Sequence, residues 1–328
     1  MKIDARALAL FTMVALACTR RETRNAAPAP DVAQPPASTT SRPEVAMPKP
    51  PPFLDCPAAL VATRRGGTDA DRYAVPTDAE RDTFRELVAR IVRSGAAGRD
   101  GAATLAASVG FEIVDVPELH GVVLVREVPT KRRGGGAYLV RLDSSSTLFV
   151  QAPHTFFDEG TLPLACELFA RGDAHALYID TAHRYKAAEA DEKGSHPADV
   201  AHAPASLFQA ATEGALRASP RVTVVQVHGF AVRDADTQVV VSSGERVPGN
   251  ALVARVAQAL SRTTTGVLRF PEDTTELGAT TNVQGSAVRK AGGQFVHVEI
   301  QSGLRRTLLS DAELRGRFLG ALAGAVGE

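Results

Sequence analysis

The stretch FVQAPHTFFDEGT, residues 149–161, decides how the rest of the chain is read. An apolar run ends at Pro153-His154, and two carboxylates, Asp158 and Glu159, follow before Gly160-Thr161. Apolar runs of this length, bounded by turn residues, are buried strands. In open α/β sheets, ligands collect where strands give way to loops at their carboxyl ends. A histidine and a carboxylate a few residues apart at such a point form half of a divalent-metal site. By itself H-x3-D describes solvated loops more often than ligands, so the remainder of the chain has to supply the other half.

Downstream of this stretch, strand and helix patterns alternate. Leu162–Ala170 is expected to be a helix with Thr161 as its N-cap. Ala176–Asp180 is a strand, Pro204–Ala218 a helix with Pro in its first turn, and Val222–His228 a strand. Asn250–Ser261 is a helix, Gly293–Gln301 a strand, and Ser310-Asp311-Ala312-Glu313 a capping box that opens a last helix. Such alternation predicts an α/β fold: three αβα layers around a mixed, mainly parallel sheet. Upstream, Thr77-Asp78-Ala79-Glu80 is another capping box, and Phe84, Leu87, Val88, Ile91 and Val92 share one helical face up to a stop at Gly95. A second helix near Gly101–Ser108 and strands at Phe111–Val116, Val122–Val128, Tyr138–Leu142 and Thr147–Gln151 follow, partly antiparallel because their connections are short. The KRRGGG run at 131–136 lacks the ending of a phosphate loop and has no helix after it, so it is expected to be a hairpin loop.

Lys+Arg and Asp+Glu are equal at 37 each among 328 residues, which gives no electrostatic case for a nucleic-acid partner. Residues 1–18 have the pattern of a secretion signal: a short basic start, then an apolar run too short to span a bilayer. It ends in Ala15-Leu16-Ala17-Cys18, which resembles a bacterial lipobox whose Cys18 is acylated. The resemblance implies a lipid-anchored envelope protein, in the outer membrane or the periplasm, while Ala15, standing where Leu is usual, leaves ordinary secretion as the alternative. Residues 19–57 are a linker, and ten of the twenty prolines fall between Asn25 and Pro57. That composition buries too little apolar surface to repay its ordering. The body then divides into an N-terminal α+β part, 58–146, packed on a core, 147–328. Cys56 and Cys166 are available for one disulfide in an oxidising compartment.

Four strand ends carry polar residues capable of chemistry. His154 follows the first, Asp180 with His183 and Arg184 the second, and His228 closes the third, while Glu299 sits inside FVHVEI. Parallel strands place the first three on one rim. A carboxylate within a buried strand costs several kcal/mol unless it has a cationic partner or a role as a base. His297 shares its face by the period of two. One His, a carboxylate and a distant second His are the three protein ligands of a catalytic zinc, and a further Glu can take a proton from water.

At these residues the chain resembles the zinc carboxypeptidase-like superfamily of phosphorylase/hydrolase-like fold, nearest to phage-type poly-γ-glutamate hydrolases and N-formylglutamate amidohydrolases. The resemblance runs from Gln151 to Arg306 through APHTFFDEGT, VVQVHGF and FVHVEIQSGLRR. It implies zinc held by His154, His228 and a carboxylate, with Glu299 as the catalytic acid/base. Alignment on Gly160-Thr161 selects Asp158 as that carboxylate, and counting from His154 selects Glu159; the x-G-T context favours Asp158. It further implies substrate contacts from Arg184, His183, Asn282, Arg305 and the Asp199/His202 pair of DVAHAP. The family's loop glycines are replaced here by Thr155-Phe156-Phe157.

The expected function is therefore a zinc-dependent amide or peptide hydrolase at the cell envelope. Its substrate would be a small carboxylate-bearing peptide or amino-acid derivative: poly-γ-glutamate, a cell-wall peptide or an N-acyl amino acid. A rival of another class is a non-catalytic lipoprotein that uses a degenerate hydrolase fold to bind peptide or wall fragments.

Overall fold

The computed structural model describes residues 56–64, 72–192, 194–233 and 236–327. The signal segment, Cys18 and nearly all of the Pro-rich linker lie outside the described residues. A nine-stranded mixed sheet organises the rest. In chain order its strands are β1 (Phe111–Asp115), β2 (Val122–Glu127), β3 (Ala137–Arg141), β4 (Leu148–Ala152), β5 (Ala176–Ile179), β6 (Thr223–Phe230), β7 (Val239–Ser242), β8 (Val267–Phe270) and β9 (Gln294–Gln301). Their spatial order is β1-β2-β3-β5-β4-β6-β9-β7-β8. The central four, β5-β4-β6-β9, are parallel. The β1–β3 meander joins them antiparallel through β3 and β5, and β7 pairs antiparallel with β9.

Val- and Leu-rich central strands follow from burial on both faces, since helices cover each side. The helices are α1 (Ala58–Arg64), α2 (Asp78–Ser108), α3 (Thr161–Arg171), α4 (Leu207–Ala218), α5 (Ala251–Leu260), α6 (Val283–Lys290), α7 (Ser302–Ser310) and α8 (Ala312–Gly327). Side chains from α1, α3, α5, α7 and α8 pack with Val225, Val227, Val296, Val298 and Ile300 on one face. Side chains from α2, α4 and α6 pack with Phe149, Val222, Val224 and Phe295 on the other. By the strand period of two, Gln151, Gln226, His228, His297 and Glu299 belong to this second face. The described helices include none long and apolar enough to cross a membrane. A disulfide joins Cys56 to Cys166, with Cα atoms 5.3 Å apart, and so fastens the start of the body to α3.

Several helix boundaries differ from the sequence expectation. Gly95 does break the first helix, since at φ 49° and ψ −131° it is non-helical, but the second helical stretch starts at this kink rather than near Gly101 and runs on to Ser108. A Cβ there would lie 2.0 Å from the Leu142 carbonyl oxygen, so the bend brings helix and strand end together at a point only glycine permits. Helix α3 is preceded by Gly160 rather than capped by Thr161, whose hydroxyl instead donates to the Asp158 carbonyl at 2.8 Å. Helix α4 begins after Ser206, which accepts from Gln209 N, and Pro204 lies before it. Asp311, not Ser310, caps α8 by accepting from Leu314 N at 2.9 Å. Ser310 ends α7, its hydroxyl turned back onto the Arg306 carbonyl. The loop after β2 carries KRRGGG as a turn, and the amides of Arg133 and Gly134 donate to the buried Glu127 carboxylate at 3.1 and 3.2 Å. Strands β7 and β8 and helices α1, α6 and α7 had no counterpart in the sequence reading.

Candidate metal centre

Beyond β4 the chain makes one helical turn. The amides of Phe157 and Asp158 both donate to the His154 carbonyl, at 2.9 and 2.7 Å. Residues four apart on such a turn share a side, which is how the H-x3-D spacing brings His154 and Asp158 together. His228 comes from β6, the strand next to β4. Asp158 Oδ2 lies 3.5 Å from His154 Nδ1 and 3.5 Å from His228 Nδ1. The two imidazole rings are 4.8 Å apart and nearly perpendicular. All three residues are buried, and their ligand atoms lie within 4.8 Å of one another. The Gly229 amide also donates to Asp158 Oδ2 at 3.0 Å, fixing the carboxylate against β6. Glu159 is exposed, and only its carbonyl takes part here, accepting from Arg305 Nε at 2.7 Å.

Each histidine uses its other nitrogen elsewhere. His154 Nε2 is 2.9 Å from Asp199 Oδ1, and His228 Nε2 is 2.7 Å from Gln226 Oε1. Two Nδ1 atoms and one carboxylate oxygen facing a common point, each ring steadied from behind, are a donor set that suits zinc. One contact competes: Arg184 donates to His154 Nδ1 at 3.1 Å. A cation on that lone pair requires the guanidinium to swing aside.

Glu299 lies beside His228 in the β6–β9 register. Its Oε1 is 3.6 Å from His297 Nε2, while its Oε2 and His297 Nδ1 have no hydrogen-bond partner among the described residues. Burial, with the nearby Asp158 charge second, pushes the Glu299 carboxyl up to about 8. Burial lowers His297 well below the usual imidazole range and brings His228 down to about 4. For His154 burial is outweighed by Asp158 and Asp199, and its value rises. Asp158 and Asp199 are held below the usual range: burial opposes this, but the closeness of the histidines prevails, and Arg184 adds to it at Asp199. His228, His297 and Glu299 form a second group with ligand atoms within 4.8 Å, sharing His228 with the first.

The remaining sequence candidates fall into different positions. Arg184 pairs with Asp199, and its guanidinium lies over the Tyr185 and Phe157 rings at 4.7 and 5.5 Å. His202 donates from Nδ1 to Asp199 Oδ1 at 3.0 Å and keeps 43% of its side chain exposed. His183 stands edge-on to Phe157, and its Nδ1 accepts from Tyr185 N at 3.2 Å. Asn282 caps α6 and turns its amide nitrogen onto Gln226 Oε1 at 2.6 Å, so both its polar atoms are engaged within the protein. Arg305 binds the carbonyls of Glu159, Phe230 and Ile300, so its guanidinium ties three loop and strand ends together. A Cβ on Gly229 would sit 1.9 Å from that guanidinium, which accounts for glycine after His228. Asp180 is buried at the end of β5, with Oδ1 accepting from Ala182 N and its carboxyl raised chiefly by burial. Gln226, Gln284 and Gln151 escaped the sequence reading. The signal was present in VVQVH and LFVQA: an amide side chain on the same buried face as His228 needs partners as much as Glu299 does.

A cavity of about 540 Å³ opens beside Asp199 and His202, walled by Val75, Tyr185, His196, Pro197 and Ala203. Phe157, Tyr185 and Val75 are exposed at 49%, 43% and 52%, an apolar rim close to a polar centre.

The chain matches no family model, and no curated protein matches it. Among solved structures it is similar to a metallo-carboxypeptidase from Burkholderia cenocepacia, at 15% identity over 64% of this chain and 66% of that one, with a TM-score of 0.40. It is also similar to an N-formylglutamate amidohydrolase from Ralstonia eutropha JMP134, at 13% identity over 58% and 97%, with a TM-score of 0.36. The N-acetylmuramoyl-L-alanine amidase AmiC2 of Nostoc punctiforme is similar at 14% identity over 56% and 97%, with a TM-score of 0.33. These are distant likenesses, and none assigns a role to a residue of this chain.

Proposed function

We propose that the chain is a zinc-dependent hydrolase of amide or peptide bonds in carboxylate-bearing substrates, held at the bacterial cell envelope by a lipid on Cys18. One observation carries the catalytic part: His154 Nδ1 and His228 Nδ1 flank the same Asp158 oxygen at 3.5 Å, with a buried Glu299 on the next strand. When bound there, zinc supplies an acidified water and polarises the scissile carbonyl. Glu299 is placed to take a proton from water and pass it to the leaving amine, once a cation beside it offsets the burial that raises its proton affinity. Arg184, released from His154, offers its charge to the oxygen that becomes negative as the carbonyl is attacked, or to a substrate carboxylate. The cavity beside Asp199 takes the substrate group next to the scissile bond, and its volume is that of a small-ligand site. The envelope location rests on the first eighteen residues, and the Cys56–Cys166 disulfide accords with an oxidising compartment.

Zinc-loaded protein incubated with γ-glutamyl oligomers, muropeptides and N-acyl amino acids should release amine from one of these classes, and Glu299→Gln should abolish the release. If the protein takes up no zinc and Glu299→Gln keeps its full biological effect, it is a binding lipoprotein instead.

A further inference from the structure

Behind His228 lies a chain of buried amides whose every orientation is fixed by its ends. Gln284 donates from Nε2 to the Val200 carbonyl at 2.9 Å and to Gln209 Oε1 at 3.1 Å, so its Oε1 is the atom that faces Gln226. Gln226 Nε2 accordingly donates to Gln284 Oε1 at 3.2 Å and to Gln151 Oε1 at 2.9 Å. Gln151 is pinned in turn, for its Nε2 donates to Thr212 Oγ1, which donates to the Phe208 carbonyl. Asn282 Oδ1 accepts from the Gly285 amide at 2.8 Å, so its nitrogen donates to Gln226 Oε1 at 2.6 Å. A backbone carbonyl can only accept and a backbone amide can only donate, so none of these side-chain amides can flip alone.

Gln226 Oε1 is therefore an acceptor with two donors, Asn282 Nδ2 and His228 Nε2. The proton of neutral His228 sits on Nε2, and the lone pair on Nδ1, toward Asp158. From this the geometry points to Gln226, with Gln284, Gln151 and Asn282 behind it, as positioning residues that lock His228 in its metal-ligating tautomer. The inference rests on reading His228 as a ligand. It also makes the two candidate ligand groups alternatives. With Nε2 committed to Gln226, His228 has one lone pair and can serve the His154–Asp158 group or the His297–Glu299 group, never both. Gln226, Gln284 and Gln151 are fully buried and joined across β4, β6, α4 and α6, so the lock is a rigid part of the core.

The test begins on the metal-free wild-type protein, with long-range ¹H–¹⁵N NMR of the His228 ring assigned against His228→Gln. The expected result is a bare Nδ1 and a protonated Nε2. A ring protonated mainly on Nδ1 overturns the lock without touching the question of hydrolysis. Gln226→Leu, checked for folding by circular dichroism, should mix the two tautomers and weaken zinc binding by about 10–100-fold. Gln226→Glu, protonated on the oxygen that faces Gln151 and Gln284, keeps an acceptor oxygen toward Nε2 and should retain the tautomer. A folded Gln226→Leu protein with the wild-type tautomer and wild-type zinc affinity would also overturn it; should that variant not fold, the wild-type spectrum alone decides.

Discussion

Two buried clusters of charge lie on opposite faces of the sheet, and they are partnered very differently. On one face Glu167 of α3 accepts from Arg315 of α8 at 2.7 Å and from Arg171 at 2.6 Å, and Arg315 also donates to the Leu308 and Leu309 carbonyls of α7. Charge there is matched by charge, and three helices are held together. On the other face Glu299 Oε2 and His297 Nδ1 have no partner among the described residues, and two imidazole Nδ1 atoms crowd one carboxylate oxygen. Burying an unpaired polar group costs free energy that folding alone does not recover. The incomplete cluster is the one proposed above as a metal centre, whereas the completed cluster is explained by the fold.

Substitutions should separate the two clusters. The largest effect expected is on turnover: Glu299→Gln should lower the hydrolysis rate by about 10²–10⁴-fold while zinc content stays at the wild-type level. Arg315→Met should leave the zinc centre intact and destabilise the fold by about 3 kcal/mol, read from urea titration, because Glu167 loses a buried partner. Were Glu299→Gln the destabilised variant and Arg315→Met the inactive one, the assignment of the two clusters would be reversed.

The pH dependence of stability sharpens the contrast. In metal-free protein Glu299 holds its proton up to about 8, against 4.5 for the unfolded chain. Between those values the unfolded state binds fewer protons, so stability falls as pH rises through the window. Glu299→Gln should remove this loss, making the variant more stable than wild type at pH 8 by a margin on the order of a few kcal/mol. Equal pH profiles for the two proteins would mean that Glu299 is not held protonated. The smallest effect concerns Arg184, whose guanidinium sits on the His154 lone pair. Arg184→Met should tighten zinc binding by about 3–10-fold, through loss of a competing like charge, while lowering turnover. Weaker zinc binding in that variant would make Arg184 a support of the centre.

The parts of this protein legible in its sequence are those set by local rules. Thr77 with Glu80 forms the capping box that its spacing predicts. The parallel strands β4, β5, β6 and β9 lie where long apolar runs end in polar residues. His154, Asp158, His228 and Glu299 stand out because strand ends and a charged residue inside an apolar strand are visible in one dimension, and the fold brings them close together. Less legible were elements without a periodic signal. Strands β7 and β8 have four residues each, too few for alternation to register. Helix α6 contains Gly285 and few apolar residues, and it is set by its Asn282 cap and by docking on Phe295. The partners of Asn282 and Arg305 within the protein are also out of reach of the sequence. Both engage groups distant in sequence, Gln226 for one and Glu159 for the other, and only the folded chain brings them close.

Anomalous diffraction at the zinc edge, from crystals of the zinc-loaded body, bears most directly on the proposed centre. The expected result is one strong peak bounded by Nδ1 of His154, Nδ1 of His228 and the Asp158 carboxylate, with Arg184 turned away from His154. A peak between His297 and Glu299, or none near His154 after zinc loading, would contradict it.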